Sequence, residues 1–226
     1  MNRACKNYTL VEILVTLAIV GILLGISLPA YQKIFKGNAV DAVARNIGSS
    51  LTLARSKAIT SRNYVAVLFP DDESSDWVNF KTYKQPFRMI RMCYVTKDSS
   101  ASPTTYEFKS WVPGNEWIIF PETTSAYITT GHSSSPPTPP APPLVKKVQI
   151  PDKSNPSTTV EFDIKAVIFN PYGSIEYSGG DSIIIRALEA VYQQTSANAP
   201  PLEPNLSTDN KLDYEIFKFT GSYEVQ

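Results

Sequence analysis

Residues on which common catalytic and metal sites depend are scarce in this chain. Its 226 residues include one histidine, two cysteines and three methionines. The single histidine, His132, lies beside a proline-rich tract, so no Ser-His-Asp or Cys-His arrangement is indicated. No spacing of cysteine and histidine suits zinc, and no glycine-rich loop precedes a helix where it could bind phosphate. The sequence therefore predicts no enzyme and no cofactor.

Charge shows no overall excess of either sign, because 21 Lys and Arg balance 21 Asp and Glu. The distribution along the chain is nevertheless uneven. Residues 31–62 carry six basic side chains against one acidic side chain, whereas residues 63–226 carry 13 basic and 19 acidic side chains, a net charge of −6. An acidic domain lacks the basic surface that nucleic acids bind. We therefore expect no nucleic-acid partner.

A long apolar run lies near the amino terminus, from Leu10 to Leu28, and one acidic residue, Glu12, interrupts it. As a helix this run would rise roughly 28 Å, close to the ~30 Å hydrocarbon core of a bilayer. A carboxylate costs about 3 kcal/mol at the centre of a membrane, so such residues usually have a function. Gly21 and Gly25 form a GxxxG pair, a spacing that lets two membrane helices approach closely. The sequence thus predicts a membrane-spanning helix with a packing face.

Two common explanations of this segment fit less well. A secretory signal peptide would need a small-x-small cleavage site after the apolar run, which Leu28, Pro29 and Ala30 do not supply. A lipoprotein signal would place its cysteine after the run, whereas Cys5 precedes it. An uncleaved signal anchor stays open as an alternative.

The residues Tyr8-Thr9-Leu10-Val11-Glu12 carry a family resemblance. They resemble the class III signal of type IV pilins and type II secretion pseudopilins, whose usual form is Gly followed by Phe-Thr-Leu-Val-Glu. The resemblance implies that a prepilin peptidase cuts between Asn7 and Tyr8 and methylates the new amino terminus. Asn7 stands where the family favours glycine, and asparagine is among the better substitutes at positive φ. Pro29 matches the family's helix-kinking proline.

Glu12 lies one helical turn beyond the amine that this cleavage would create on Tyr8. Pairing of its carboxylate with the amine of a neighbouring subunit would offset the cost of burying both charges and would set the register of assembly. The alternative is that Glu12 merely reaches the lipid head groups from near the helix end. The resemblance favours the assembly role. Removal of the leader would also leave Cys93 as the only cysteine, so no intramolecular disulfide could form.

The rest of the chain is typical of an α+β domain. An amphipathic helix is predicted over residues 31–62, which Gly37 and Asn38 could bend, because apolar residues recur at helical spacing at Val40, Val43, Ile47, Leu51, Ala54 and Ala58. Aromatic and β-branched residues predict strands at 64–69, 78–83, 87–95, 117–120, 145–150, 159–169, 182–188 and 212–220. We expect a long amino-terminal helix packed on a head of two small antiparallel sheets, as in type IV pilins. Cys93 lies in one of the apolar runs and is predicted to be buried.

Further motifs narrow the resemblance to the GspH/FimT minor pseudopilins. Residues 53–59, Leu-Ala-Arg-Ser-Lys-Ala-Ile, resemble that family's junction between helix and strand. Residues 169–175, Phe-Asn-Pro-Tyr-Gly-Ser-Ile, resemble its late Phe-x-Pro-x-Gly turn. The end of the chain, from Tyr214 to Tyr223 with Gly221 between them, resembles its terminal strand-Gly-strand.

Two proline-rich tracts and one acidic cluster have open interpretations. Residues 133–143 and 197–206 are expected to be extended surface loops, or else contact arms for a neighbouring subunit. Four acids within residues 71–76 could hold calcium, although a solvated turn is the preferred interpretation. No metal site is therefore predicted.

The resemblance implies a minor pseudopilin of type II secretion, with a cleaved leader at 1–7, a transmembrane helix at 8–30, an amphipathic helix at 31–62 and a periplasmic head at 63–226. It would be a single-pass inner-membrane protein placed at or near the tip of a filament. Expected partners are other major and minor pseudopilins, the prepilin peptidase, the inner-membrane assembly platform and secreted cargo. A minor type IV pilin for adhesion, motility or DNA uptake stays open, as does an uncleaved membrane-tethered binding module.

Overall fold

The structure, a computed structural model, describes residues 9–70, 87–99, 104–121, 123–129, 143–151, 159–177, 182–189 and 211–225. Of residues 26–37 only the helical backbone is described. Several predictions made above fall outside these ranges: those for Asn7, Tyr8, the acidic cluster at 71–76, the strand at 78–83, most of the loop at 133–143 and the loop at 197–206. The chain divides into two compact units, residues 1–38 and residues 39–226.

The helix of the described chain, α1, runs from Leu10 to Ser61 and includes 52 residues. Thr9 is its N-cap, because the Thr9 Oγ1 accepts a hydrogen bond from the backbone N–H of Glu12 at 3.3 Å. The helix ends before Arg62, whose φ of 53° lies in the left-handed region where helices stop. Gly37 and Asn38, where the sequence allowed a bend, are both helical. The two segments predicted separately are therefore one continuous helix from Leu10 to Ser61.

The two predicted halves of α1 differ in how far the structure supports them. Within the described ranges, no helix combines the length and the apolar character needed to cross a membrane. The prediction that residues 8–30 span a membrane is therefore not confirmed by the structure. In the second half, where side chains are described from residue 38 onward, every residue of the predicted apolar stripe, from Val40 to Ala58, is at most 1% exposed.

The described residues form ten strands. Their bounds are β1 Tyr64–Leu68, β2 Met89–Asp98, β3 Thr105–Trp111, β4 Ile118–Ile119, β5 Thr124–Thr129, β6 Leu144–Pro151, β7 Thr159–Phe169, β8 Ser182–Glu189, β9 Lys211–Phe217 and β10 Tyr223–Val225. The strand runs predicted from the sequence match seven of the ten described strands and omit β3, β5 and β10. Its last run, 212–220, is a strand only as far as Phe217, and the chain then turns into β10.

Five of these strands close into a barrel. β1 pairs with β7 on one side and with β2 on the other, and the ring continues through β3 and β6 back to β7. β4 adds to β2 at the start of that strand. Closure pairs both edges of each barrel strand, which removes the exposed edges of an open sheet.

The sequence predicted an antiparallel head, and one strand pair corrects that prediction. β3 and β6 are parallel, with Tyr106 opposite Val145. The chain passes through β4 and β5 between these two strands, so it returns to the same end of the barrel before β6 begins. The remaining described strand pairs are antiparallel.

Alternating side chains of β1 separate the interior of the barrel from a second core. Ala66 and Leu68 belong to the barrel interior, whereas Val65 and Val67 belong to the core outside it, and all four are fully buried. A strand buried on both faces explains why the sequence of β1 is apolar throughout instead of alternating. Side chains from all five strands fill the interior, among them Cys93, Tyr106, Val145 and Ile164.

The second core joins the carboxyl-terminal part of α1 to the head. A four-stranded antiparallel sheet in the order β10-β9-β8-β5 completes the head. One buried apolar cluster contains residues of the helix, of the outer face of the barrel and of this sheet, including Val43, Ile47, Val67, Phe169, Ile185 and Ile216. Residues 39–61 of the helix are thus a structural part of the head.

Candidate assembly and docking site

The amino-terminal part of α1 is where the sequence predicts assembly. Between Leu10 and Leu24 its large apolar side chains are 49–74% exposed, and Glu12 is exposed as well. A β-carbon added to Gly21 or Gly25 would have no atom within 4 Å, so neither glycine packs against the described chain. The backbone at Pro29 is helical. The roles of Asn7 and Tyr8 in processing, of Glu12 in assembly, and of the two glycines and Pro29 in helix packing stay predictions.

A second candidate region is a junction where three segments of the head meet. We call these segments the helix end (residues 53–62), the Tyr172 turn (residues 169–175) and the Phe219 turn (residues 217–222). Arg55 Nε donates a hydrogen bond of 3.2 Å from the helix end to the carbonyl oxygen of Gly173. The backbone N–H of Ile175 donates to the carbonyl oxygen of Lys218 at 3.0 Å and links the two turns. The three motifs of the GspH/FimT resemblance therefore meet in space.

Asn170 determines the conformation of the Tyr172 turn. Its Oδ1 accepts hydrogen bonds from the backbone N–H groups of Tyr172 at 2.9 Å and Ser174 at 3.2 Å. Its Nδ2 donates to the Ser174 hydroxyl at 2.7 Å, and its carbonyl oxygen accepts from the N–H of Gly173 at 2.9 Å. An asparagine that bonds the backbone beyond it is a common way to fix a tight turn. Gly173 adopts a φ of 85°, which side chains disfavour.

The Phe219 turn lies directly against the Tyr172 turn. It closes through a hydrogen bond of 2.8 Å from the N–H of Gly221 to the carbonyl oxygen of Phe217. Gly221 has a φ of 60°, and a β-carbon there would overlap the carbonyl oxygen of Gly173. A β-carbon on Gly173 would in turn lie 2.8 Å from the Ile59 side chain. Glycine at both positions is what allows the helix end and the two turns to pack together.

Glu176 follows the Tyr172 turn and closes one end of the barrel. Its Oε2 accepts hydrogen bonds of 2.8 Å from Lys97 Nζ and from the Tyr106 hydroxyl, and its Oε1 accepts one of 3.3 Å from Asn170. Burial alone would raise the pKa of Glu176, but the hydrogen bonds from Lys97, Tyr106 and Asn170 outweigh it and hold the pKa below its usual value. Burial and the hydrogen bond to Glu176 raise the pKa of Tyr106. The carboxylate thus stays ionised and anchors the turn to the barrel.

Two tyrosines of the four-stranded sheet hold the helix from another side. The Tyr214 hydroxyl donates a buried hydrogen bond of 2.6 Å to the carbonyl oxygen of Ala44. The Tyr223 hydroxyl lies 3.4 Å from the Thr52 hydroxyl, and the two tyrosine rings are 5.4 Å apart. A β-carbon at Gly48 would lie 3.1 Å from the Tyr223 hydroxyl, so the glycine admits these rings to the helix surface.

An arginine stacked on tryptophan closes the opposite end of the barrel. The Arg91 guanidinium carbon lies 3.9 Å from the centre of the Trp111 ring, and the Trp111 and Trp117 rings are 5.7 Å apart. Arg91 Nε donates to the carbonyl oxygen of Asn115 at 3.0 Å, and its guanidinium lies 3.4 Å from the Glu116 carboxylate. Burial lowers the pKa of Arg91. Trp111 and Trp117 are partly buried and pack against the interior of the barrel, whereas Glu116 is exposed.

The sequence located part of this arrangement and missed the rest. Arg55, the Tyr172 turn and Gly221 were found through their motifs. Glu176 was missed, and so was the contact of Tyr214 with the helix. One available signal was Gly48, an isolated glycine inside a helical pattern, which often marks a close approach by another group.

The described residues contain no group of three or more His, Cys, Asp or Glu side chains that could hold a metal ion. The junction is instead a rigid, hydrogen-bonded surface. The fold that holds it can be compared with known proteins. The family model described as "Type II transport protein GspH" matches residues 43–198, which is more than half of the chain. The chain belongs to the GspH family.

The match begins on α1 and includes Arg55, the Tyr172 turn and Glu176. Among solved structures, the chain is similar to the minor pseudopilin EpsH from the type 2 secretion system of Vibrio cholerae, with 12% identity, a TM-score of 0.38, and coverage of 83% of this chain and 95% of that chain. No curated protein matches the sequence. The prediction of a GspH-type minor pseudopilin of type II secretion is thus confirmed. GspH pseudopilins are structural subunits and not enzymes.

Proposed function

We propose that this GspH-family chain is cleaved between Asn7 and Tyr8, is anchored in the inner membrane by residues 8–30, and enters the periplasmic pseudopilus through Glu12. The observation that carries the proposal is the sequence from Asn7 to Glu12, a processing motif placed directly before an apolar run of membrane length. In a subunit of this family, the motif would allow leader cleavage and assembly, and the apolar run would hold the subunit in the membrane.

The geometry of α1 supports this proposal in two ways. Its large apolar side chains from Leu10 to Leu24 are exposed, and exposed apolar area of this size is stable only in contact with lipid or with other helices. Gly21 and Gly25 present an open face on which a second helix could approach closely. Lipid contact before assembly and helix contact within the filament would satisfy both features.

The mechanical role follows from how the helix is held by the head. Movement of a filament built from amino-terminal helices must be transmitted to the heads. One face of residues 39–61 is buried against the barrel and the four-stranded sheet, and Arg55 and Tyr214 bind the helix to the Tyr172 turn and to that sheet. We propose that the subunit lies at or near the filament tip, where its head meets other minor pseudopilins or cargo. Lengthening or retracting the filament would then move secreted proteins towards an outer-membrane channel.

The amino-terminal peptide of the membrane-bound protein tests the proposal. The full chain is expressed in cells with an active prepilin peptidase and in matched cells whose peptidase is inactive, and the terminal peptide is identified by mass spectrometry. We expect a methylated Tyr8 terminus in the first cells and the intact leader in the second. Retention of residues 1–7 in cells that secrete normally would contradict the proposal and favour an uncleaved, tethered binding module.

Secretion itself separates the proposal from a minor type IV pilin. Deletion of the gene should stop export of type II substrates and leave twitching motility, adhesion and DNA uptake unchanged. Loss of a pilus function with intact secretion would identify the chain as a minor type IV pilin.

A further inference from the structure

The junction carries two aromatic side chains that are almost completely exposed. Tyr172 is 90% exposed and Phe219 is 77% exposed, more than any other large apolar side chain in the part of the chain that the structure describes. Each projects from a tight turn, and the two turns contact each other through Gly173 and Gly221. Ile59, which is 47% exposed and whose side chain lies close to Gly173, extends the apolar surface onto the helix end. Aromatic side chains exposed to this extent on two adjoining turns are typical of interaction sites.

The backbone beneath these aromatics is fixed before any partner arrives. Asn170 bonds three groups of the Tyr172 turn, and Arg55 bonds that turn to the helix. The Phe219 turn has its own closing hydrogen bonds and a further one to Ile175. A surface that needs little ordering on binding loses less conformational entropy, which favours affinity. The junction therefore combines exposed aromatic side chains with the rigid backbone that favours docking.

The three segments of the junction carry a charge opposite to that of residues 63–226 as a whole. The helix end and the two turns contain four basic side chains and no acidic side chain, namely Arg55, Lys57, Arg62 and Lys218. Glu176, the first acid beyond the Tyr172 turn, is already paired with Lys97. Residues 63–226 as a whole carry a net charge of −6. A locally basic surface on an acidic domain is complementary to an acidic partner.

We propose that Tyr172 and Phe219, together with the cations of the same three segments, form a docking surface for an acidic patch on the head of another pseudopilin. The aromatic rings would enter an apolar depression on the partner, and Lys218 and Arg62 would face its carboxylates. Val65 pairs with Phe169 at the start of β1, so Arg62 and the Tyr172 turn leave the same end of the barrel. The inference rests on the proposed function, because it requires assembly with other pseudopilins.

Site-directed photocrosslinking tests where the partner lies. The full-length chain, carrying a benzophenone amino acid at position 172 or 219, is co-expressed with each of the other pseudopilins of the same secretion system in turn. Position 119 is the matched control, because Ile119 is 57% exposed but lies on β4, at the barrel end remote from Glu176. We expect crosslinks to one pseudopilin from 172 and 219 and none from 119. Crosslinks only to a second copy of this chain, only to cargo, or equally from position 119 would overturn the proposal.

Affinity measurements test the chemistry of the surface. With the crosslinked pseudopilin as the probe, Tyr172→Ala and Phe219→Ala should each weaken binding about tenfold or more, whereas Ile119→Ala should leave it unchanged. Lys218→Glu should weaken binding and reduce its dependence on salt concentration, because it removes an attractive charge. Unchanged affinity in both aromatic variants would refute the docking role. Thermal unfolding of each variant identifies any that fails to fold, and Tyr172→Phe, which keeps the ring, should bind nearly as well as the native chain.

The same cells separate this inference from the proposed function. If the leader is removed and the major subunit co-purifies with the chain, but positions 172 and 219 give no pseudopilin crosslink, only the docking surface is wrong. If the leader is retained and no filament forms, the proposed function itself is wrong.

Discussion

Gly173 and Gly221 lie so close together that a β-carbon on Gly221 would overlap the carbonyl oxygen of Gly173. They are 48 positions apart in the sequence and belong to different turns. Both have positive φ, at 85° and 60°. The contact holds the Phe219 turn against the Tyr172 turn, and Arg55 binds the Tyr172 turn to the helix. The carboxyl-terminal part of the chain thereby stabilises the attachment of α1.

Alanine at position 221 should destabilise the head more than a positive φ alone explains. Gly114 provides the matched control, because its φ is 73° and a β-carbon there would have no atom within 4 Å. Gly114→Ala should lower the free energy of unfolding by about 1 kcal/mol, the ordinary effect of a side chain at positive φ. Gly221→Ala should lower it by roughly 2–4 kcal/mol, because the backbone must also move. Urea unfolding followed by circular dichroism measures both, and equal losses would show that the contact between the glycines is unimportant.

The hydrogen bond from Tyr214 to the helix should contribute measurably to stability. Tyr214→Phe leaves the ring in place and removes only the buried donor to the Ala44 carbonyl. We expect a loss of about 1 kcal/mol in the free energy of unfolding. Tyr223→Phe is the control, because its hydroxyl contact with Thr52 is long, at 3.4 Å, and exposed. A larger loss for Tyr223→Phe than for Tyr214→Phe would mean that the exposed tyrosine, and not the buried one, holds the helix.

The elements that the sequence predicted well are those whose pattern is local. The spacing from Val40 to Ala58 predicts a buried helical stripe because helix geometry alone places those residues on one side. The run from Tyr64 to Leu68 predicts a strand for a similar reason. β5 was missed because Thr124 and Ser125 are polar yet fully buried, which no local pattern reveals.

Features that depend on distant pairings could not be predicted in this way. Closure of the barrel requires β1 to pair with both β2 and β7, and the parallel pairing of β3 with β6 depends on the path of the chain between them. The same holds for the junction. The motifs around Arg55 and Gly173 were each visible, but they are separated by 118 positions, and only the folded chain brings them together.

Cys93 should be unreactive in the folded chain. It is a free thiol with no exposed surface in the barrel interior, and burial raises its pKa, so both access and thiolate formation are opposed. Iodoacetamide at pH 8 should leave it unmodified until urea unfolds the head. Ser110→Cys places a comparison thiol on the neighbouring strand at an exposed position and should react readily. Equal alkylation rates at the two positions in the native protein would contradict burial within a closed barrel.

Glu176 should make stability depend on pH in the acid range. Its pKa is lower in the folded chain than the ordinary value of 4.5, so ionised Glu176 stabilises the fold above that pH. The contribution is lost as the pH falls through the lowered folded pKa. The stability difference between the native chain and Glu176→Gln should therefore shrink between pH 7 and pH 3. Glu107→Gln is the control, because its pair with Lys147 is largely exposed and should contribute little at either pH. A difference that stays constant with pH would show that Glu176 acts only through its shape.

Glu12 can be tested for assembly without disturbing the start of the helix. The N-cap bond of Thr9 is to the backbone N–H of Glu12, so it survives any change of that side chain. Glu12→Leu should therefore leave membrane insertion, leader cleavage and head folding intact. It should reduce co-purification with the major pseudopilin about tenfold or more, because the amine of the neighbouring subunit would lose its charged partner. Thr16→Leu is the matched control, since it replaces another polar side chain of the same apolar segment but removes no charge. Normal co-purification of Glu12→Leu would leave the carboxylate with no part in docking, and a loss shared by Thr16→Leu would point to helix packing instead of charge pairing.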